Sequence, residues 1–305
     1  MNSFDRMSAL MIGGAATLLA GTAAAQEAGA ATGCRLVVEA GPDQWVVSYD
    51  PFVDRAVERQ FDMAVVNRGG AACAGVVGLE LRGEAFGLSR DGAGQRLAYA
   101  VVDERASTDI TPRTGKNVAR VGARSVALAP GERTMLRFSV VVDPAEIPSA
   151  GLYTQSAFLT LEQGDGVPLT ERPVTLGVRV PSAAMMGLKG EFRRSGGAAT
   201  IDLGPLTEGS RQLNTTLYVL STAGYSVSVS SANAGQLRLG ATDWYVPYTL
   251  TVGNLKVDLA SSQALQIPSL RARLDDYPLA VNVGTVGGRR AGNYTDMVTF
   301  TIAAL

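Results

Sequence analysis

"GNYTDMVTFTI", Gly292 to Ile302, is a near-copy of "GLYTQSAFLTL", Gly151 to Leu161, about 140 residues upstream, and the reading of this pair decides the fold. Ala150, Gly151, Tyr153, Thr154 and Thr160 recur at the same spacing as Ala291, Gly292, Tyr294, Thr295 and Thr301. After each Tyr the apolar residues alternate, which is the two-residue period of a strand with one buried face. Two copies imply two domains of one design, joined near Pro181 in "VRVPSAAMMGL", unless two generic strands match by chance.

Working outward, almost every apolar segment is short, alternating and rich in β-branched residues: "LAYAVVD" from Leu97, "MLRFSVVVD" from Met135, "YSVSVSS" from Tyr225 and "PYTLTVG" from Pro247. Turn chemistry separates them, as in "NRGG" at Asn67, "DGAG" at Asp91, "APGE" at Ala129, "EQGDG" at Glu162 and "GGRR" at Gly287. With 35 Gly and 13 Pro among such strands, the expected class is all-β: two immunoglobulin-like β-sandwich domains, residues 26–180 and 181–305.

Beyond the two copies the chain differs. Leu161 leads through "EQGDG" into "PVTLGVRV", which puts Val174, Leu176, Val178 and Val180 on one face of a further strand. Only "AAL" comes after Ile302, so the second domain is expected to lack its final strand. That would leave an apolar groove bordered by unpaired backbone groups, open to a strand from another chain. Four Val- or Leu-sized side chains are worth roughly 6–12 kcal/mol gross on burial, against a domain stability of about 5–15 kcal/mol. The alternative is closure from within, by "MMGLKGEF" at Met185 to Phe192.

Residues 1–25 read as an export signal: Arg6, the apolar run "MSALMIGGAATLLAG" and a small-residue cleavage site before Gln26. The run is short and Gly-rich for the ~20 residues of a membrane span, and no transmembrane anchor is expected. In an exported chain the two cysteines, Cys34 and Cys73, most simply pair; two buried free thiols are the alternative. A net charge of −1, with no basic run, gives no reason to expect a nucleic-acid partner.

Absence of histidine removes Ser-His and Cys-His mechanisms and His-ligated metals. "TGKN" at Thr114 lacks the rest of a phosphate loop, and "VGTVGGRR" at Val283 reads as a hairpin because no helix comes after it. Asp275 and Asp276 are neighbours, point to opposite faces if extended, and read as a solvated turn. No enzyme, cofactor or metal is expected. Exposed apolar residues of the first domain are the better candidates for contact with a target: Phe86 and Leu88 in "EAFGLS" and Trp45 beside "GPDQ", each alternatively a core anchor. Trp244, Tyr245 and Tyr248, in the second domain, are expected to pack.

Cys34, "SYDPF" at Ser48 to Phe52, Cys73, "IDLGPLTEG" at Ile201, "YSVSVSSANAGQL" with "VPYTLTV", and "AGNYTDMVTFTI" form a set. With these motifs the sequence resembles the spore coat protein U domain of subunits from the archaic, Csu-type chaperone–usher pili. The resemblance implies export to the periplasm, capping by a pilus chaperone, and assembly at an outer-membrane usher as a neighbouring subunit donates a strand. Tyr294, Val298, Phe300 and Ile302 would then edge the acceptor groove, with the Leu305 carboxylate near the chaperone's basic anchor. The leader "QEAGAATG" has no large alternating apolar side chains to donate, so a two-domain tip adhesin facing a surface or glycan fits better than a shaft or adaptor subunit. A pilus chaperone or a stand-alone extracellular binding module would need a complete second domain.

Overall fold

The computed structural model describes residues 33–39, 41–53, 56–90, 94, 96–118, 125–261 and 264–305. The expected export signal, nearly all of the leader and most of "DGAG" lie outside them. The first stretch of chain forms β1 (Leu36–Val38), β2 (Gln44–Ser48), β3 (Val57–Asn67), β4 (Cys73–Glu80), β5 (Leu88–Ser89), β6 (Arg96–Leu97), β7 (Tyr99–Asp103), β8 (Thr108–Asp109), β9 (Lys116–Val118), β10 (Val126–Leu128), β11 (Arg133–Val142), β12 (Gly151–Glu162) and β13 (Pro168–Val180). The second forms β14 (Ala184–Gly190), β15 (Arg193–Ser195), β16 (Ala198–Thr200), β17 (Gly209–Ser221), β18 (Tyr225–Ser231), β19 (Gln236–Arg238), β20 (Tyr245–Val252), β21 (Leu255–Val257), β22 (Ala264–Ile267), β23 (Arg273–Val283) and β24 (Val298–Ala304).

In the first sandwich, a sheet ordered β1-β3-β11-β7-β8 faces one ordered β10-β4-β12-β13-β2. These are the A-B-E-D and C-F-G sheets of an immunoglobulin-like fold, with β2 added beyond G. The G strand, β13, pairs antiparallel with β12, Gly151 opposite Val180 and Tyr153 opposite Val178. It pairs in parallel with β2, Leu176 opposite Trp45. Val174, Leu176, Val178 and Val180 are all buried, as their spacing requires. Trp45 is fully buried and stacks on Phe61 and Phe138, with ring centroids 5.6 and 5.1 Å away. A Cys34–Cys73 disulfide ties the chain before β1 to the start of β4.

The second sandwich repeats this plan with one difference. Its A-B-E-D sheet is β14-β17-β23-β20, extended by β19, and its other sheet is β22-β18-β24. Strand β24 corresponds to β12: Phe300 lies opposite Val229 and Ile302 opposite Val227 on β18, as Leu159 lies opposite Leu79 and Leu161 opposite Val77 on β4. Among the described residues no strand pairs with the other edge of β24. The segment "MMGLKGEF" does not close the sheet from within, because its strand, β14, pairs along its whole length with β17 of the opposite sheet, from Ala184 opposite Ser221 to Gly190 opposite Thr215. The stretch "VGTVGGRR" is also not a hairpin, since it carries the chain from β23 in one sheet to β24 in the other.

Each sandwich has its own apolar core, one drawn from residues between Leu36 and Val180, the other from residues between Ala184 and Ile302. They meet through backbone and short side-chain bonds. Ala150 N donates to Thr222 O at 2.8 Å, Ala272 N to the Ser149 hydroxyl at 3.0 Å, and Arg90 to Leu270 O at 3.3 Å.

Candidate functional site

The exposed edge of β24 is built by the repeated motif. Tyr153 donates its hydroxyl proton to Ser149 O at 3.0 Å, and Tyr294 does the same to Arg290 O at 2.7 Å, four residues back in each case. This is the tyrosine corner of immunoglobulin-like folds, which fixes the chain as it enters the F strand. The preceding glycines, Gly151 and Gly292, have φ of +143° and +157°. A Cβ at either would press into the side chain lying over it, Arg90 or Leu239 respectively. The recurring Gly-x-Tyr is therefore a steric and hydrogen-bonding unit.

Two residues after each Tyr, a polar side chain anchors the strand to the D strand across the sandwich. In the first copy Gln155 accepts from the Tyr99 hydroxyl at 2.9 Å and from Gly87 N at 3.1 Å. In the second, Asp296 accepts from the Tyr248 hydroxyl at 2.6 Å, Asn233 N at 3.0 Å, Met297 N at 2.8 Å and the Ser231 hydroxyl at 2.5 Å. Burial, reinforced by the bond to Asp296, pushes the Tyr248 phenol well above its usual range. The sequence reading missed both pairs. Their signal was a Tyr at or near the head of an alternating strand, at Tyr99 and Tyr248, distant in sequence from its partner.

With its entry fixed, β24 turns Val298, Phe300 and Ile302 toward the core and Thr299 and Thr301 outward. The inward side chains are only half-buried, whereas Tyr153, Ala157, Leu159 and Leu161 of β12 are at most 1% exposed. The difference is the cover β13 gives in the first sandwich. Across from β24, Met186 and Leu188 of β14 are half-buried against the same core. Parts of β14 and β24 approach within 8 Å at Cα without forming a ladder. Two strand spacings would need about 9.5 Å, so at those points the two strands stand closer than an inserted strand requires. A depression of about 420 Å³, bordered by Leu188, Phe192 and the β15–β16 hairpin, lies beyond the Gly190 end of β14.

The structure sorts the other candidates. Tyr294, Val298, Phe300 and Ile302 come together along one edge, and Leu305 is 52% exposed, its N donating to Gly224 O. Trp45 and Leu88 do not face a target: both are fully buried. The indole N–H of Trp45 is satisfied by Pro42 O at 2.9 Å, which lets the ring enter the core. Gly87 N is tied to Gln155, which draws Leu88 onto β12. Phe86 is half-buried, 4.9 Å from the Tyr99 ring. Trp244, expected to pack, is 40% exposed. Asp275 and Asp276 lie within β23 and not in a turn, Asp275 bonded to Arg273 and the Tyr225 hydroxyl, Asp276 to Lys189. Among the described residues no His, Cys, Asp and Glu side chains cluster as metal ligands, and no helix is long and apolar enough to cross a membrane.

No family model matches the chain, and no curated protein matches it in sequence. Solved structures do. The CsuC–CsuE chaperone–tip subunit pre-assembly complex from archaic Csu pili of Acinetobacter baumannii is similar over 88% of this chain and 99% of that one, at 11% identity and TM-score 0.47. CfaE, the adhesive subunit of CFA/I fimbria of enterotoxigenic Escherichia coli, is similar over 87% and 93%, at 10% identity and TM-score 0.34. The Escherichia coli chaperone DraB is similar over 90% and 99%, at 17% identity and TM-score 0.25. With identities and TM-scores this low, the sandwich assignment rests on the strand order itself.

Proposed function

We propose that the chain is a structural and adhesive subunit of a chaperone–usher pilus, made of domains 26–180 and 181–305 and assembled when a partner strand fills the groove beside β24. The observation that carries this reading is the contrast between two equivalent strands of one chain: β12 covered by β13, and β24 with an edge left free among the described residues, above half-buried Val298, Phe300 and Ile302. A free edge over apolar side chains is a template for strand addition. A pilus chaperone or stand-alone module would need that edge covered. The tip position is favoured over shaft or adaptor because the first sandwich has its own G strand and is free to present loops to a surface or glycan.

In this reading the chain is exported through the periplasm, held there by a pilus chaperone, and handed at an outer-membrane usher to the neighbouring subunit. The test is to append to Leu305 a flexible linker ending in the alternating strand "PVTLGVRV". The fusion is expected to gain soluble yield and heat resistance in its second sandwich. Equal yield and equal melting of fusion and parent would overturn the reading.

A further inference from the structure

The second sandwich has two poles. At one, β14 begins and β24 ends, and this pole abuts the first sandwich through Ala150–Thr222, Ser149–Ala272 and Arg90–Leu270. At the other, β24 begins, and the surface there has an unusual make-up. Trp244 is 40% and Met297 65% exposed. The Arg289 guanidinium lies 4.9 Å from the centre of the Tyr245 ring, its Nε buried without a hydrogen-bond partner. Exposed Arg290 is next in the chain, and its backbone carbonyl holds the corner Tyr294. Among the described residues neither Arg289 nor Arg290 is in an ion pair; the acids of this part of the chain are Asp243, next to Trp244, Asp296, which accepts from Met297 N and the Tyr248 hydroxyl, and Glu208, which accepts from Val286 N.

The first sandwich supplies the polarity of a strand in the groove. There β13 runs antiparallel to β12 and parallel to β2, and its last residue, Val180, lies opposite Gly151. A strand placed likewise between β14 and β24 would end opposite Gly292, close to Arg289 and Arg290. The pole at its beginning abuts the first sandwich through Thr222, Ala272 and Leu270, which favours the other pole, where the strand ends, for the bulk of the partner.

We propose that the pole formed by Trp244, Met297, Arg289 and Arg290 is a second docking surface, which receives the partner where its strand leaves the groove. The partner's matching face is acidic around an apolar centre, to suit a pole that carries two guanidinium groups outside any ion pair together with a partly exposed indole and thioether. This rests on the groove reading above.

The test separates the two. The probes are the peptide "PVTLGVRV", the same peptide with three aspartates after its last residue, and the same with three aspartates before its first. They are titrated into residues 26–305, with binding monitored by the emission of Trp244 in a Trp45→Phe background. The trailing aspartates are expected to tighten binding about three- to tenfold in about 0.01 M salt and to lose most of that gain at about 1 M; the leading ones should give no gain. Arg290→Ser, an exposed side chain, should remove much of the gain and leave the bare peptide unchanged. Arg289→Glu with Arg290→Glu should transfer the preference to three trailing lysines. Equal affinities for the two aspartate peptides, or a gain that survives the arginine substitutions, overturns the docking surface alone. Failure of the bare peptide to bind removes the groove reading and this inference with it.

Discussion

Leu161 on β12 and Ile302 on β24 occupy the same place in the two sandwiches, opposite Val77 and Val227, but Leu161 is 0% exposed and Ile302 is half-buried. Truncating a fully buried Leu or Ile to Ala costs about 2–5 kcal/mol through lost transfer energy and the cavity left behind. Leu161→Ala should therefore cost the first sandwich about that much. Ile302→Ala removes side-chain area that already meets water over part of its surface, so it should cost about 1–2 kcal/mol in the chain alone. Once a strand covers the groove, Ile302 should take on the full cost. The difference, about 1–3 kcal/mol, emerges as a strand affinity weakened roughly five- to 150-fold. The chain holds two tryptophans, one in each sandwich, so urea unfolding of Trp45→Phe and Trp244→Phe backgrounds reports the halves separately. An Ile302→Ala cost equal to that of Leu161→Ala, with no strand added, would show that the edge is already covered.

Reducing the Cys34–Cys73 link, which spans 39 residues, should lower the Trp45 transition by about 4 kcal/mol on the loop-entropy estimate; the Trp244 transition should not move. Tyr248→Phe deletes the proton donor to Asp296 and should cost the second sandwich about 1.5–3 kcal/mol, with faster amide exchange at Met297 and Val298 read by NMR. The Arg273 guanidinium holds the Asp275 carboxyl below its usual value. Its contribution is thus complete above the unfolded value of about pH 3.9 and is lost as pH falls through the lower folded value. Asp275→Asn should flatten the fall in second-sandwich stability on acidification below that pH; an unchanged acid slope would refute the assignment.

The β class was legible because side-chain alternation is a local property: "YSVSVSS" and "PYTLTVG" became β18 and β20 with alternating burial. The repeat was legible because a tyrosine corner requires Gly and Tyr at fixed positions in one short stretch. Side-chain direction beside turns was not legible. Trp45 comes after "GPDQ" and Leu88 after Phe86-Gly87, neighbourhoods that left contact residue and core anchor both open; each residue is drawn inward by a partner far off in sequence, Trp45 by Phe61 and Phe138, Leu88 by the tie from Gln155 to Gly87. Trp244 erred in the other direction, its backbone bonding to Leu239 while 40% of its surface stays exposed. The Asp296–Tyr248 anchor spans 48 residues, beyond any local pattern.

One chain carrying a covered and an uncovered version of the same strand separates two roles that a single sandwich would confuse. Tyrosine corner, polar anchor and register to the C strand are present in both copies, so shaping the F strand does not depend on its G neighbour. Burying that strand's inner face does. The four buried side chains of β13 represent roughly 6–12 kcal/mol gross, comparable to the whole stability of a typical domain. The second sandwich therefore holds its F strand in place by local anchors while leaving its core thinly covered. Parts of β14 and β24 also lie within 8 Å at Cα, less than the ~9.5 Å of two strand spacings. Where they approach this closely, insertion must move β14 away from β24, and because β14 is bonded to β17 throughout, the two would move together. Strand entry therefore calls for separation of β14 from β24 without exchange of the hydrogen bonds between β14 and β17, so amide exchange along β14 should stay slow while a strand peptide binds.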